Sequence, residues 1–215
     1  EEFIPKYNDW TDRFRFISEF AKKQGAPKDF VEDLNSITTP STTGKLTTPD
    51  VLLKEGKIKD ISRNLEVIFT PGHDISEISI YDPSSKIIFS GDHILPRITP
   101  FIPIHDEKTS MLNHYVDSLN KMKSFEHTKI APGHFEMIDN PQNRVEQILL
   151  HHEKRSEKII NILKDGELTG WEVTKKLFSR PLDSMNLRLA FQETMAHLKY
   201  IESKGKIKQK VSEAV

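Results

Sequence analysis

Apolar and charged residues alternate at helical spacing over residues 8–36. An apolar position every three to four residues is typical of a helix with one face against a core. The stripe consists of Trp10, Phe14, Ile17, Phe20 and Ala21. Gly25 and Pro27 interrupt it, so we expect one or two helices here. Residues 37–50, which are rich in Thr, Ser and Pro, predict a loop.

The middle of the chain contains short apolar runs that are typical of strands. Residues 65–70, 77–81 and 86–90 are rich in β-branched and aromatic side chains. The second and third runs are separated by Asp82-Pro-Ser-Ser85, a turn sequence, and should form a hairpin. A fourth strand is expected at 129–131, after an amphipathic helix. The apolar face of that helix is Leu112, Tyr115, Val116, Leu119 and Met122.

From Pro141 onward the pattern is helical. Proline suits the first position of a helix, and an apolar stripe runs from there to Leu163. Gly166 then ends the stretch. Thr169-Gly-Trp-Glu172 has the spacing of a capping box and should open a short helix.

A third helix is expected from Asp183 or Ser184 to about Gly205, and residues 206–211 then alternate like a strand. This order of elements is typical of a small winged helix, an all-α module with one basic strand. The pattern as a whole predicts an α/β (α+β) fold with a boundary near residue 150. The two predicted domains are residues 1–150 and 151–215.

Composition narrows the chemistry. The 215 residues contain no cysteine, which excludes a disulfide scaffold, thiol catalysis and cysteine-bound zinc, and leaves His, Asp and Glu as metal ligands. No apolar run approaches the roughly 20 residues that span a bilayer. The first ten residues lack the basic and apolar regions of a signal peptide. We therefore expect a cytoplasmic enzyme that does not enter membranes.

Three of the predicted strands end in a loop that carries a histidine or an aspartate. Phe-Thr-Pro-Gly-His73 and Ile-Ala-Pro-Gly-His134 repeat one pattern, and Phe-Ser-Gly-Asp92 lies between them. Loops at strand ends commonly hold the reactive groups of an α/β scaffold. Two imidazoles and a carboxylate suit zinc, manganese or iron better than calcium or magnesium. We expect His73, Asp92 and His134 to be metal ligands, although isolated loop histidines are usually only solvated.

The motifs that end in His73, Asp92 and His134 occur in this order along the chain and are followed by a helix that begins near Pro141. This arrangement resembles the second half of a metallo-beta-lactamase-fold hydrolase. The resemblance is to the intracellular branch with a C-terminal winged helix, the beta-lactamase-like protein 2 type. It implies the C-terminal half of an αββα sandwich. It also implies that His73 binds one metal, Asp92 bridges two, and His134 binds the second. Two zinc ions, or manganese or iron, would activate the attacking water.

The chain departs from that family in one important respect. The family's His-x-His-x-Asp-His motif should precede Thr70, yet no histidine occurs before His73 and residues 1–60 lack a β-rich opening. We therefore expect a truncated or diverged half that is poorly active alone, with the general base in the missing motif. Metal binding should be weak, because a hydrolytic zinc usually has three protein ligands. Residues 74–77 also replace a second Pro-Gly-His that is frequent in relatives, which puts support of the metals in doubt.

The sequence does not choose between two substrate classes, a small-molecule ester, thioester or lactone and a phosphodiester in RNA. It also leaves open whether the protein forms a homodimer. The alternative function is a non-catalytic module that binds nucleic acid or protein through the winged helix. From Glu153 onward there are 13 Lys and Arg against 9 Asp and Glu. Lys206, Lys208 and Lys210 would form its basic face, but the third helix offers only Arg188, Gln192 and Lys199, few contacts for a DNA groove.

Overall fold

The computed structural model describes residues 10–37, 50–59 and 61–210, with side chains of the first helix from Arg13 onward. Most of the loop predicted at residues 37–50 lies outside these ranges. The described part of the chain contains six helices and one five-stranded sheet. The helices are α1 (Trp10–Lys23), α2 (Lys28–Asn35), α3 (Met111–Met122), α4 (Pro141–Leu163), α5 (Gly170–Leu177) and α6 (Ser184–Ser203). The strands are β1 (Gly56–Lys57), β2 (Glu66–Phe69), β3 (Ile78–Asp82), β4 (Ile87–Gly91) and β5 (Lys129–Pro132).

The sheet has the strand order β1-β2-β3-β4-β5. The first four strands pair antiparallel, and β3 and β4 form the predicted hairpin. Strand β5 joins β4 in parallel after α3 crosses over the sheet. Since β2 and β4 are both antiparallel to β3, the chain leaves β2, β4 and β5 at the same edge of the sheet. This topology brings the three predicted ligand loops together.

The two faces of the sheet differ in what covers them. Ile68, Ile88 and Ile130 point to one face and are fully buried in a cluster with apolar side chains of α3 and α4. The register aligns Val67, Ile80, Phe89 and Ala131 on the opposite face, called here the outer face. These four residues belong to none of the hydrophobic clusters of the described residues, and Phe89 is 48% exposed. The sheet is therefore apolar on both faces; on the outer face Val67 is only 2% exposed, whereas Phe89 is open to solvent.

The C-terminal helices pack against the N-terminal pair as well as against the sheet layer. Phe191 on α6 is fully buried and contacts Phe30 on α2, with ring centroids 5.6 Å apart. Thr169 caps the N-terminus of helix α5 in the predicted capping box, in which Thr169 and Glu172 bond each other's backbone amides. Within the described ranges, no helix is both long and apolar enough to cross a membrane.

The end of the chain differs from the predicted wing. Residues 206–210 are irregular, so the predicted strand is wrong over these residues, and Val211 lies outside the description. The backbone amide of Lys206 bonds the carbonyl of Ile201 at the end of α6, and Gln209 donates to Glu202. The segment is thus held against α6 rather than in a β-ladder. An alternating pattern alone could not reveal that none of the described strands pairs with this segment.

The helix face considered for nucleic-acid reading is largely used inside the protein. Arg188 is paired with Asp33 on α2 at 2.6 Å, and Gln192 is only 7% exposed. Lys199 donates to the backbone carbonyl of Glu107. Helix α6 therefore acts as a packing element between α1, α2 and the rest of the molecule.

Candidate metal centre

The side chains of His73, Asp92 and His134 meet at the shared edge of the sheet. Asp92 lies in the middle. Its Oδ2 is 3.9 Å from His73 Nε2, and its Oδ1 is 3.6 Å from His134 Nε2. Both distances exceed the range of a hydrogen bond. Two atoms bound to one zinc at about 2.0–2.2 Å are separated by roughly 3.3–3.6 Å. The spacing of His134 from Asp92 lies at the upper end of this range, and that of His73 is slightly longer.

Two glycines allow this approach because a side chain would not fit at either position. A Cβ on Gly72 would lie 2.5 Å from a ring carbon of Tyr115, so the His73 turn packs directly on α3. A Cβ on Gly133 would lie 2.7 Å from Asp92 Oδ1 and 3.2 Å from the backbone of Gly91. The glycines that precede the two histidines are thus required for close packing.

The ring of His73 is oriented by a backbone carbonyl. Its Nδ1 is 2.7 Å from the oxygen of Phe101. Because a carbonyl only accepts, Nδ1 carries the hydrogen and donates it. A neutral His73 then has its lone pair on Nε2, the atom that faces Asp92. Fixing one ring nitrogen in this way is how metal-binding histidines are usually oriented.

A second carboxylate supports the loop of Asp92. Glu77, four residues after His73, accepts a hydrogen bond at Oε1 from the backbone amide of Asp92 at 3.1 Å. Burial raises the pKa of Glu77 to about 8, and the negative charges of Asp92 and Asp74 act in the same direction. The sequence prediction missed Glu77, since its approach to Asp92 depends on strand pairing.

His93 follows Asp92 but points into the core. Its side chain is fully buried, and its ring packs edge-on against Tyr115 with centroids 5.0 Å apart. The hydroxyl of Tyr115 donates to the carbonyl of His93 at 2.8 Å. Burial lowers the pKa of His93 to about 3, so it is neutral at pH 7. His93 therefore anchors the loop and does not face the candidate centre.

A small cavity of about 30 Å³ adjoins His73, and its lining includes Arg13 of α1 and His105. Neither residue was predicted to lie near the centre. Asp74 also lines the cavity. Burial alone would raise the pKa of Asp74, but hydrogen bonds from Ser76 and the charges of Arg13 and His73 hold it below its usual value. The N-terminal helix thus contributes a cation beside the candidate centre.

An aromatic side chain lies exposed next to His134. Phe135 has a φ of +70° and is 56% exposed. Its ring lies 5.8 Å from the guanidinium of Arg97, which is bound by both carboxylate oxygens of Glu136. A bulky residue in the left-handed region is uncommon, and such conformations occur preferentially at functional sites.

The donor set fits a metal, although this chain supplies only part of the coordination. Two imidazoles and a carboxylate suit zinc. Within residues 10–37, 50–59 and 61–210, no three His, Cys, Asp or Glu side chains are grouped so that they could hold an ion together. Each oxygen of the Asp92 carboxylate instead faces one histidine nitrogen, so the pairs His73–Asp92 and Asp92–His134 offer two donor atoms each. Each of two ions would therefore need further ligands.

Two family models match the chain. A model described as the metallo-beta-lactamase superfamily matches residues 9–134. A second, described as the metallo-beta-lactamase-like C-terminal domain, matches residues 157–214. The superfamily match contains both the N-terminal helices and the three candidate ligands.

Curated and solved relatives agree with these models. The beta-lactamase-like protein 2 homolog of Caenorhabditis elegans is 35% identical over 117 residues, which are 54% of this chain and 37% of that protein. The probable metallo-hydrolase YqjP of Bacillus subtilis is 26% identical over 209 residues, 94% of this chain and 64% of that protein. A metallo-beta-lactamase family protein from Thermus thermophilus has a TM-score of 0.68 and 26% identity, covering 87% of this chain and 58% of that structure. The chain thus spans less than two thirds of the length of these relatives.

Proposed function

Because the chain belongs to the metallo-beta-lactamase superfamily, we propose that it forms part of a metal-dependent hydrolase in which His73, Asp92 and His134 bind metal. The single observation that carries the proposal is the position of the Asp92 carboxylate, with one histidine Nε2 facing each of its oxygens. The similarity to a probable metallo-hydrolase supports the reaction class.

We assign zinc as the metal and expect two ions with Asp92 between them, manganese or iron being the alternatives. When bound, zinc lowers the pKa of a coordinated water to about 7 and so supplies a nucleophile at neutral pH. The residues of this chain orient that chemistry. His73 is fixed by the carbonyl of Phe101. Asp92 places negative charge between the two histidines, and Tyr115 and Glu77 hold its loop.

The remaining ligands and the general base would come from a His-x-His-x-Asp-His motif outside this sequence. Two donors per ion fall short of the three protein ligands usual for a hydrolytic zinc. The apolar outer face of the sheet supports this part of the proposal, since a β-sandwich buries such a face against a second sheet. A β-layer carrying the missing histidines would cover Phe89 and its neighbours and complete the site.

For the substrate we propose a small ester or thioester, with RNA as the second class. The exposed side chains that adjoin His134 include Phe135, and Met137 is also 43% exposed. Cations near the centre already interact with acidic groups, since the charge of Arg13 lowers the pKa of Asp74 and Arg97 is bound by both carboxylate oxygens of Glu136. Binding of a phosphodiester backbone draws its affinity from cations that are available to the phosphates, whereas an apolar acyl group suits this surface.

The proposal is tested by measuring the metal content and the hydrolytic activity of the full-length protein and of its Asp92→Asn variant. Asp165→Asn, at an exposed position beyond α4, is the matched control. We expect Asp92→Asn to lower bound zinc and the hydrolysis of p-nitrophenyl acetate and an acyl thioester by at least about tenfold. Asp165→Asn should behave like the wild type. Equal zinc content and activity in both variants would refute the metal assignment. Cleavage of a bis-p-nitrophenyl phosphodiester alone would move the substrate class to RNA.

A further inference from the structure

The carboxylate of Glu77 links the loop of one candidate ligand to the loop of another. Glu77 lies in the turn that begins with His73, where its own amide bonds the carbonyl of Asp74 and its carbonyl accepts from Thr70. From this turn its Oε1 reaches across to the amide of Asp92. The two ligands are 19 residues apart in sequence, and this contact couples them directly.

Other contacts hold the backbone on either side of Asp92 but not its own amide. Gly133 donates to the carbonyl of Gly91 at 2.7 Å, and the amide of His93 donates to Ser90 at 3.0 Å. Tyr115 donates to the carbonyl of His93. These bonds position the loop as a whole. The direction in which the Asp92 side chain leaves the backbone depends on the peptide unit whose N–H is bound by Glu77.

The second oxygen of Glu77 gives independent support for a specific role. Oε2 is buried and makes no hydrogen bond of good geometry among the described residues, although the nearby backbone amide of Asp74 acts to lower the pKa of Glu77. Burying a carboxylate oxygen without a partner costs free energy that an apolar side chain at this position would not cost. Stability alone therefore does not favour a glutamate here, and an unsatisfied buried group of this kind calls for a functional explanation.

We propose that Glu77 is a positioning residue that orients Asp92 between His73 and His134 by accepting the amide hydrogen of Asp92. The inference rests on the proposed function, because the orientation matters only if these three residues bind metal. The turn that begins with His73 thereby also supports Asp92. A carboxylate oxygen from the same turn provides the support.

Four variants separate positioning from a general structural effect. Glu77→Gln keeps an acceptor oxygen at Oε1, whereas Glu77→Ala removes it and Glu77→Leu removes it while keeping an apolar stem. Glu157→Ala, on the exposed side of α4, is the control. Two measurements are made on each purified protein. One is the hydrogen-exchange rate of the Asp92 amide without metal, by NMR. The other is the affinity for zinc chloride alone, by calorimetry.

We expect the Asp92 amide to exchange roughly tenfold faster in the Ala and Leu variants, as the loss of one hydrogen bond of about 1.4 kcal/mol predicts. Zinc should bind about tenfold more weakly in both. Glu77→Gln and Glu157→Ala should keep the wild-type values within about threefold. If the Ala variant does not fold, the Leu variant decides the outcome.

Unchanged exchange at Asp92 in the Ala and Leu variants would overturn the positioning role. So would a loss in Glu77→Gln as large as that in Glu77→Ala, or an unprotected Asp92 amide in the wild type. Failure of the proposed function has a different signature. In that case the wild type binds no zinc, while the exchange measurement on the metal-free proteins still decides whether Glu77 holds the amide.

Discussion

At the scale of single residues, the candidate centre depends on the absence of a side chain at Gly133. An added Cβ would approach Asp92 Oδ1 to 2.7 Å and the carbonyl group of Gly91 to 3.2 Å. Because the backbone of Gly91 cannot yield easily, the Asp92 carboxylate must move. We predict that Gly133→Ala lowers zinc affinity by at least about tenfold and destabilises the fold by about 1–3 kcal/mol. Calorimetry with zinc and urea unfolding would measure the two effects.

Gly205→Ala is the control for this prediction. Gly205 has a φ of +70° and open space around its Cβ position. An alanine there costs about 1–2 kcal/mol of stability through backbone strain alone. The position follows the end of α6 and is not part of the candidate centre. The variant should therefore reduce stability to a similar extent and leave zinc affinity unchanged. If Gly133→Ala keeps wild-type zinc affinity, the contact with Asp92 does not control the centre.

The sequence could predict which side chains end the strands, but not what orients them. His73, Asp92 and His134 each follow an apolar strand, and neighbouring strand ends meet at one edge of a sheet. The carbonyl of Phe101 and the carboxylate of Glu77 are 28 and 15 residues from the groups they bind. Neither has a spacing that local geometry would require. These contacts follow from strand pairing and loop paths, which depend on the packing of the whole layer.

At the scale of elements, a pair of buried histidines joins α4 to α6. His197 Nδ1 lies 2.8 Å from the carbonyl of Glu193 and therefore donates to it. A neutral His197 then accepts at Nε2 from His152 Nδ1, 3.1 Å away. His152 Nε2 is buried without a partner in the described structure, and its ring lies against Tyr115. Arg155 is paired with Glu193 nearby. A proton added to His197 would place two donors face to face.

This pair should make stability depend on pH. Burial lowers the pKa of His197 to about 4 and also lowers that of His152, whereas an unfolded histidine titrates near about 6.5. Below about pH 6.5 the unfolded chain therefore binds protons that the folded chain excludes. We predict that the contribution of this histidine pair to the free energy of unfolding is constant above about pH 7. As pH falls from about 6.5 toward 4, stability should drop by about 1.4 kcal/mol per pH unit for each histidine. Urea unfolding at a series of pH values measures this slope.

The double variant His152→Gln/His197→Gln isolates the contribution of the pair. It should unfold with a smaller dependence on pH between about 6.5 and 4 than the wild type. His114→Gln, a half-buried histidine on α3, is the matched control and should keep the wild-type slope. Identical slopes in the wild type and the double variant would show that the pair does not titrate on unfolding.

Secondary structure could be predicted where the hydrophobic pattern is long or where a proline or a capping box marks the end of a helix. Helix α4 begins at Pro141, and the capping box at Thr169 forms as its spacing indicates. The two-residue strand β1 is too short to show a period and was missed. The strand expected at residues 206–210 does not form, and none of the described strands pairs with these residues. Periodicity describes one element, whereas pairing depends on two.

At the scale of the whole molecule, helix α6 connects parts that the sequence divides at residue 150. Phe191 lies in a cluster with α1 and α2, Ala196 belongs to the cluster under the sheet, and Ile201 packs with α4 and α5. One helix thus contributes to all three hydrophobic clusters of the described residues. The predicted domain of residues 151–215 shares its apolar surface with the rest of the chain. We therefore expect the chain to unfold as one unit.

Truncating the central side chain of this shared surface tests that expectation. Phe191 is fully buried between Phe30 and Trp171, so Phe191→Ala should cost about 3–5 kcal/mol. For a chain of this size the loss lowers the unfolding midpoint by roughly 10 °C. Far-UV circular dichroism reports all helices, and tryptophan fluorescence, measured in a Trp10→Phe background, reports the cluster through Trp171. Both probes should shift together, because a single cooperative transition moves every signal.

Met185→Ala, at a residue of the same helix that is 64% exposed, is the control and should leave the unfolding midpoint nearly unchanged. Loss of the fluorescence signal well before the circular dichroism signal would mean that the C-terminal helices unfold separately from the sheet.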